Sequence, residues 1–237
     1  MIDYYAGPLA PSTCRRPLNL EDLERIDVRV AERRFAPKDT IYAPGDPADQ
    51  LYFFLEGTVR LYKIYGKYKE ATVALLTNGD VFGEPNLEET LCQDAFAEAI
   101  DDTRVAVVRK SALGGAIRRR PEFALKLFCS FSERLRLSED TVAVLVEREV
   151  STRLATLLSH LSERFGEPHG SSMVLKVQLT HQDLANMIFS TREAVSKVMS
   201  EFKRGGLIEV RNRRISVTPQ LAKSLSSETS SYPGAAA

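Results

Sequence analysis

Between Phe35 and Arg109 the apolar residues come in short runs separated by turns. Leu51-Tyr52-Phe53-Phe54-Leu55 is continuously apolar and stops at Gly57. Thr58-Val59-Arg60-Leu61-Tyr62-Lys63-Ile64 alternates polar and apolar, and Ala71-Thr72-Val73-Ala74-Leu75-Leu76 ends at Asn78-Gly79-Asp80. Val105-Ala106-Val107-Val108 is one more such run. Short runs bounded by turn residues predict strands, and many in succession predict a sandwich or small barrel. Residues 1–20, broken by Pro8, Pro11 and Pro17, predict no regular element.

From Pro121 the period becomes helical. Phe128, Phe131, Leu135, Ser138, Val142 and Leu145 recur at spacings of 3, 4, 3, 4 and 3, a heptad seam with one polar break. Such a seam lets two helices interlock and predicts a dimer, the alternative being that it packs on the chain's own barrel. A second amphipathic helix carries Val150, Leu154, Leu157, Leu158, Leu161 and Phe165 and ends at Gly166 and Pro168. Val174-Leu175-Lys176-Val177 reads as a short strand, and the tail from Ser224 reads as disordered.

Two helices follow in close succession. Thr180 with Asp183 has the spacing of a capped start, and Leu184, Ala185, Met187 and Ile188 supply an apolar face. After Phe189, Ser190 and Glu193 have capping-box spacing, and Gly205-Gly206 mark the end of the second helix. At about 100° per residue, Val195, Val198, Met199 and Phe202 share its buried face. Arg192, Glu193, Ser196, Lys197 and Ser200 share the opposite one. This is the pattern of a helix-turn-helix. Leu207-Ile208-Glu209-Val210, Arg211-Asn212-Arg213-Arg214 and Ile215-Ser216-Val217 then read as a hairpin with a basic tip, a wing.

The residue types suit DNA. Arg192 can donate two parallel hydrogen bonds to guanine O6 and N7, Glu193 can accept from cytosine N4, and Lys197 can reach guanine or a phosphate. Thr180, Ser190, Thr191, Ser196, Arg211, Arg213 and Arg214 are candidates for the DNA backbone, where contacts set register but carry no sequence code. Glu193 could also serve the capping box alone.

Composition first argues the other way. The 237 residues hold 32 basic and 32 acidic side chains, a net charge of zero. Residues 150–237, however, hold 11 basic and 7 acidic side chains, a net of +4. The rest of the chain has 21 basic and 25 acidic, a net of −4, so a basic module adjoins an acidic one. No apolar run is long enough to span a bilayer, and the first residues lack a signal peptide's pattern, so no membrane partner and a cytoplasmic location are expected. Three widely spaced cysteines, Cys14, Cys92 and Cys129, argue against a disulfide framework and a metal site. No nucleophile elbow, P-loop, HExxH or dinucleotide fingerprint is present, so no enzyme is expected.

At this point the chain resembles the CRP/FNR superfamily of bacterial transcription regulators, over about residues 30–220. The resemblance rests on Pro44-Gly45-Asp46, Leu51-Tyr52-Phe53-Phe54-Leu55-Glu56-Gly57, Gly79-Asp80-Val81-Phe82-Gly83-Glu84, the long helix, and Thr191-Arg192-Glu193-Ala194-Val195-Ser196-Lys197. Pro44-Gly45-Asp46-Pro47-Ala48 with Thr72-Val73-Ala74-Leu75-Leu76 looks closest to the cyanobacterial nitrogen-control branch, which senses 2-oxoglutarate. The resemblance implies an α+β fold: an N-terminal jelly-roll β-barrel sensor domain, a long dimerisation helix and a C-terminal winged helix-turn-helix. The expected division is an irregular arm over 1–25, the barrel over 26–119, the dimer helix over 120–149, the DNA-binding domain over 150–222 and a disordered tail over 223–237. It implies an activator or repressor that binds double-stranded DNA as a homodimer on a near-palindromic site, with half-sites of TGTGA or GTA type, and RNA polymerase as a partner. One departure stands in the turn between the two helices. Phe189 occupies the place where the family usually has glycine, so the turn there is expected to differ. The competing reading is a ligand- or protein-binding module with a degenerate helix-turn-helix.

The resemblance also implies an effector site, for which Phe82, Gly83, Glu84, Arg134, Ser138 and Glu139 are the candidates. The family's cAMP binders use an arginine on the segment after the Gly-Glu pair. No arginine lies between residues 85 and 100, and Asp94 there would repel a phosphate, which argues against cAMP. Arg134 and Glu139 fall where the nitrogen-control branch has its arginine and glutamate, so 2-oxoglutarate remains a candidate with a half-matched site. Cysteine ligands for an iron–sulfur cluster are lacking, and all three histidines lie beyond residue 150, so neither cluster nor haem is expected. Control by abundance or by a protein partner is the remaining option.

Overall fold

A computed structural model describes residues 18–229 apart from 19, 27, 68 and 85–90. In chain order the elements are α1 (Leu20–Arg25), β1 (Val30–Phe35), β2 (Thr40–Tyr42), β3 (Gln50–Glu56), β4 (Val59–Tyr65), β5 (Lys69–Leu76), β6 (Val81–Phe82), β7 (Phe96–Ala99) and β8 (Thr103–Arg109). Then come α2 (Lys110–Arg119), α3 (Pro121–Val146), α4 (Val150–Phe165), β9 (Gly166–His169), β10 (Ser172–Leu175), α5 (His181–Met187), α6 (Arg192–Arg204), β11 (Ile208–Arg211), β12 (Arg214–Val217) and α7 (Pro219–Thr229).

The sensor region is two four-stranded antiparallel sheets, ordered β1-β8-β3-β6 and β2-β7-β4-β5. Tyr42, Tyr52, Phe54, Leu61, Phe82 and Val107 belong to the barrel's aromatic-rich core. Leu51 and Phe53, on the other face of β3, join Leu23, Leu113, Phe123 and Leu127 in a second core beneath the helices. Burial on both faces explains why β3 is continuously apolar, whereas a half-buried strand alternates. Gly57 turns the chain into β4 at φ +97°, where an added Cβ would lie 2.6 Å from the Asp102 carbonyl oxygen, so only glycine fits.

The helix α3 runs from this second core to the DNA-binding domain, whose own core takes in Val144. Its exposed apolar side chains are Leu125, Phe128, Leu135, Val142 and Val146, all above 60% exposed. Phe128, Leu135 and Val142 of the expected seam therefore lie open. Phe131, partly buried, packs against the second core, and Leu145 is half-buried. A heptad pattern defines a broad stripe, and the flank holding Phe131 faces the chain's own sensor.

Two boundaries also change. Residues 20–25 of the expected irregular arm form α1, because Leu23 and Ile26 bury in the second core; residues 1–17 lie outside the described residues. The expected disordered tail is helical through Thr229, since Leu221 anchors α7 in the DNA-binding core; residues 230–237 again lie outside. Cys129 is disulfide-bonded, a cross-link that the wide cysteine spacing does not suggest, and Cys92 is an exposed free thiol. No helix among the described residues is long and apolar enough to cross a membrane.

Candidate nucleic-acid interface and its link to the sensor

The first helix of the pair, α5, begins with a complete capping box. The Thr180 hydroxyl accepts from the Asp183 backbone N–H at 3.1 Å, and the Asp183 carboxylate accepts from the Thr180 N–H at 2.8 Å. Thr180, expected on the DNA backbone, thus has its hydroxyl committed to the cap. The helix ends at Ile188, whose carbonyl is held by Arg153 Nη1 at 2.9 Å.

Phe189 follows in the left-handed region at φ +51°. The turn therefore keeps the conformation that favours glycine, and the expectation that a phenylalanine would change it is corrected. Two contacts offset the steric cost. The Ser190 N–H donates to the Ala185 carbonyl at 3.0 Å, and the Lys69 ammonium of β5 sits 5.8 Å from the Phe189 ring centroid. Because Ser190 is used in the turn, Thr191 is the cap of α6, accepting from the Ala194 N–H at 3.2 Å. The expected cap at Ser190 is corrected by one residue. Glu193 consequently stands at the second helical position and takes no part in a capping box.

The helix α6 buries Val195, Val198, Met199 and Phe202, as the wheel predicts. Arg192, Glu193 and Lys197 are exposed together on the opposite side, and among the described residues they make no ion pair. Ser196 lies between them, its hydroxyl 2.8 Å from His181 Nδ1, a contact no sequence signal announced. Gly206, at φ +70°, supplies the left-handed residue after the helix, while Gly205 keeps an ordinary φ.

The wing forms as expected, with β11 and β12 in register from Ile208↔Val217 to Arg211↔Arg214. Asn212 and Arg213 at its tip have φ of 49° and 63°, which matches a two-residue hairpin turn of type I′. Arg213 and Arg214 are exposed at this tip. Arg211 pairs with Glu209 at 2.9 Å in an exposed bridge.

A clasp joins this unit to the sensor. Arg60 of β4 is buried, its guanidinium 2.6 Å from Glu70 and 3.8 Å from Asp183 of α5. Asn186 of α5 donates to the same Glu70 carboxylate at 3.1 Å, and Arg60 stacks 4.1 Å from the Tyr62 ring centroid. Asp183 therefore caps its own helix and binds the sensor's arginine. Arg164 of α4 pairs with half-buried Asp80 beside β6; desolvation raises the Asp80 pKa, and the Arg164 charge opposes the rise.

The expected effector residues come together only in part. Arg134 Nη1 donates to the Gly83 carbonyl at 3.3 Å, and its guanidinium lies over Phe131. Tyr42 is nearby; burial raises its pKa, and the Arg134 charge and a Gly83 hydrogen bond oppose the rise. Phe82 is corrected to a core residue, fully buried and stacked on Tyr52 at 4.9 Å. Ser138 donates back to the Arg134 carbonyl at 3.1 Å, which occupies its hydroxyl within the helix. Glu139 is exposed, and five residues on at about 100° each it faces well away from Arg134. Glu84 is half-buried at the edge of the segment that is not described. Asp94 is taken by Lys63 at 2.7 Å.

This geometry defines a regulator with a β-barrel sensor, a helical connector and a winged helix-turn-helix. Residues 32–120 match the cyclic nucleotide-binding domain family and residues 152–221 the Crp-like helix-turn-helix domain family. The global nitrogen regulator of Synechocystis sp. is 31% identical over 192 residues, 80% of this chain and 85% of the relative. A CRP-like cAMP-activated global transcriptional regulator of Mycobacterium tuberculosis is 27% identical over 76% of this chain and 80% of the relative. Among solved structures, FixK2 of Bradyrhizobium japonicum superposes with a TM-score of 0.71 at 27% identity, covering 83% of this chain and 97% of that one. The chain belongs to the CRP/FNR family of transcription regulators, in its nitrogen-control branch.

Proposed function

We propose that the protein reads a near-palindromic DNA site as a homodimer, with Arg192 and Glu193 on base edges, Lys197 on guanine or a phosphate, and Arg213 and Arg214 on phosphates. One observation carries this reading. The N-terminal turn of α6 presents Arg192 and Glu193 side by side, exposed and free of ion pairs among the described residues, above a fully packed apolar face. The cap at Thr191 supports it further, because it frees the Glu193 carboxylate. Dimerisation is supported by the open stripe of Leu125, Phe128, Leu135, Val142 and Val146, five large apolar side chains on one helix face. The implied half-sites lie about one helical turn of DNA, roughly 34 Å, apart.

RNA polymerase as the downstream partner and the cytoplasm as the location follow from this role. The Arg134–Gly83 contact makes this end of the barrel the proposed effector site, and 2-oxoglutarate is the first effector to test. The test is a selection from random DNA with purified protein, alone and with 2-oxoglutarate or cAMP. A two-fold symmetric motif is expected, and Arg192→Ala should lower affinity for it by about 1–3 kcal/mol. Failure to enrich any motif under all conditions would favour a degenerate helix-turn-helix instead.

A further inference from the structure

A hydrogen bond joins the two helices on the side that carries the candidate base readers. The Ser196 hydroxyl of α6 lies 2.8 Å from Nδ1 of His181, the first residue of α5. At about 100° per residue, Ser196 falls roughly 40° from Arg192 and roughly 60° from Glu193, between the two and one turn further on. It therefore shares their face, opposite buried Val195, Val198, Met199 and Phe202. His181 and Ser196 are both half-buried. The other ring nitrogen, Nε2, makes no hydrogen bond among the described residues and is not sealed from solvent.

The first helix of a helix-turn-helix crosses the DNA backbone, where Nε2 can donate to a phosphate oxygen. A phosphate oxygen only accepts, so on DNA Nε2 keeps its proton, and the proton on Nδ1 then decides what Ser196 can do. In the neutral ring Nδ1 is bare and accepts the serine proton, which leaves the serine oxygen as an acceptor only. In the imidazolium Nδ1 donates to the serine oxygen, and the serine O–H is released as a donor. The bases differ in the same sense across the major groove. Adenine N6 and cytosine N4 donate there, whereas guanine O6 and thymine O4 accept.

We propose that His181 is a positioning residue that sets the hydrogen-bond polarity of Ser196. As pH falls, the base preferred at one position of each half-site changes from an amino base to a keto base. This deepens, and rests on, the DNA-binding role proposed above, and it assigns Ser196 to a base edge rather than to the backbone. The charged groups around α5 are engaged. Asp183 caps Thr180 and lies 3.8 Å from Arg60 of β4. Glu70 of β5 is held by Arg60 and Asn186. Lys69 of β5 and Arg153 of α4 sit at the other end of the helix, on Phe189 and the Ile188 carbonyl. Arg192, Glu193 and Lys197 flank Ser196 on the face offered to DNA. Histidine is the side chain whose ordinary chemistry changes its charge between about pH 5 and 8, the range of the switch.

The test uses the full chain and the motif selected from random DNA. Each base pair of a half-site is changed in turn, and affinities are compared between sequences at about pH 5.5 and at about pH 8. Ratios taken at one pH cancel the general tightening that an added positive charge gives to all DNA. At one position the contacted strand should prefer adenine or cytosine at the higher pH and guanine or thymine at the lower, by about fivefold each way, the worth of one hydrogen bond. Ser196→Ala should remove the preference there at both pH values. His181→Phe keeps the bulk of the ring and should leave a preference that no longer changes with pH. His160→Gln and His169→Gln should retain the reversal. A selected motif whose preferences in the natural chain are the same at both pH values overturns the proposal and leaves the DNA-binding role standing; this result needs no variant to fold. A reversal that survives His181→Phe overturns it equally. A selection that enriches no motif at either pH overturns both.

Discussion

Replacing Arg60 by methionine isolates the clasp between sensor and reading head. The guanidinium is 4% exposed and faces Glu70 at 2.6 Å, Asp183 at 3.8 Å and Glu98 at 4.0 Å, with partner side chains 37%, 8% and 15% exposed. Methionine keeps an apolar stem against Tyr62 but leaves buried Asp183, and the half-buried Glu70 and Glu98, short of a counter-charge. Removing one partner of a buried ion pair costs about 3–5 kcal/mol. Glu70 can turn toward water and Glu98 keeps Lys38 at 3.3 Å, so the low end applies, about 3 kcal/mol. Urea unfolding followed by circular dichroism measures it. Glu70→Gln alone should cost less, since Asn186 can still donate to the amide oxygen, and the double variant should fall short of additivity by about 1 kcal/mol. The loss should fall on the contact between domains, with amide exchange rising in α5 before the barrel strands. A loss under about 1 kcal/mol, or a double variant that is strictly additive, would refute the clasp.

Three further outcomes are expected. Burial raises the Asp80 pKa in the folded state, so this group favours folding most when protonated, and its contribution falls as pH rises from the unfolded carboxylate value through the folded one; Asp80→Asn should flatten that fall in a pH series of melting curves, and an unchanged profile would contradict it. Leu135→Glu puts a charge in the middle of the open stripe and should shift sedimentation equilibrium toward monomer with little change in melting, because Leu135 is 62% exposed; an unaltered dimer would remove the stripe from the interface. Arg213→Ala at the wing tip should weaken DNA of every sequence alike and reduce the slope of log affinity against log salt by about 1, whereas a loss confined to the selected site would make it a base reader.

The DNA-reading half was the more legible in the sequence because its signals are local. The wheel of α6, the Thr180–Asp183 cap and the wing each involve residues within one or two turns of one another. The cap of α6 was misplaced by one residue because Ser190 and Thr191 are both good caps, and the left-handed Phe189 decides between them. The pairing of Arg60 with Asp183 could not be foreseen, since it joins residues far apart in the chain. The seam was half legible: periodicity locates a stripe, but packing decides which flank turns to the sensor, and Phe131 went that way. The short α1 has too few residues for a period to register, and the α7 region was dominated by its serine-rich composition.

The helix α3 is fastened at both ends. Phe123 and Leu127 are rooted in the sensor's second core, and Val144 enters the core of the DNA-binding domain. At 1.5 Å per residue the span from Phe123 to Val144 is about 32 Å. A rigid rod of that length magnifies what happens at its foot, and a tilt of about 10° there carries the far end through roughly 5 Å. That is about one helical pitch, a large displacement beside the width of a DNA groove. Small repacking around Phe53 and Phe123 is thus felt most strongly at the end of the molecule that reads DNA.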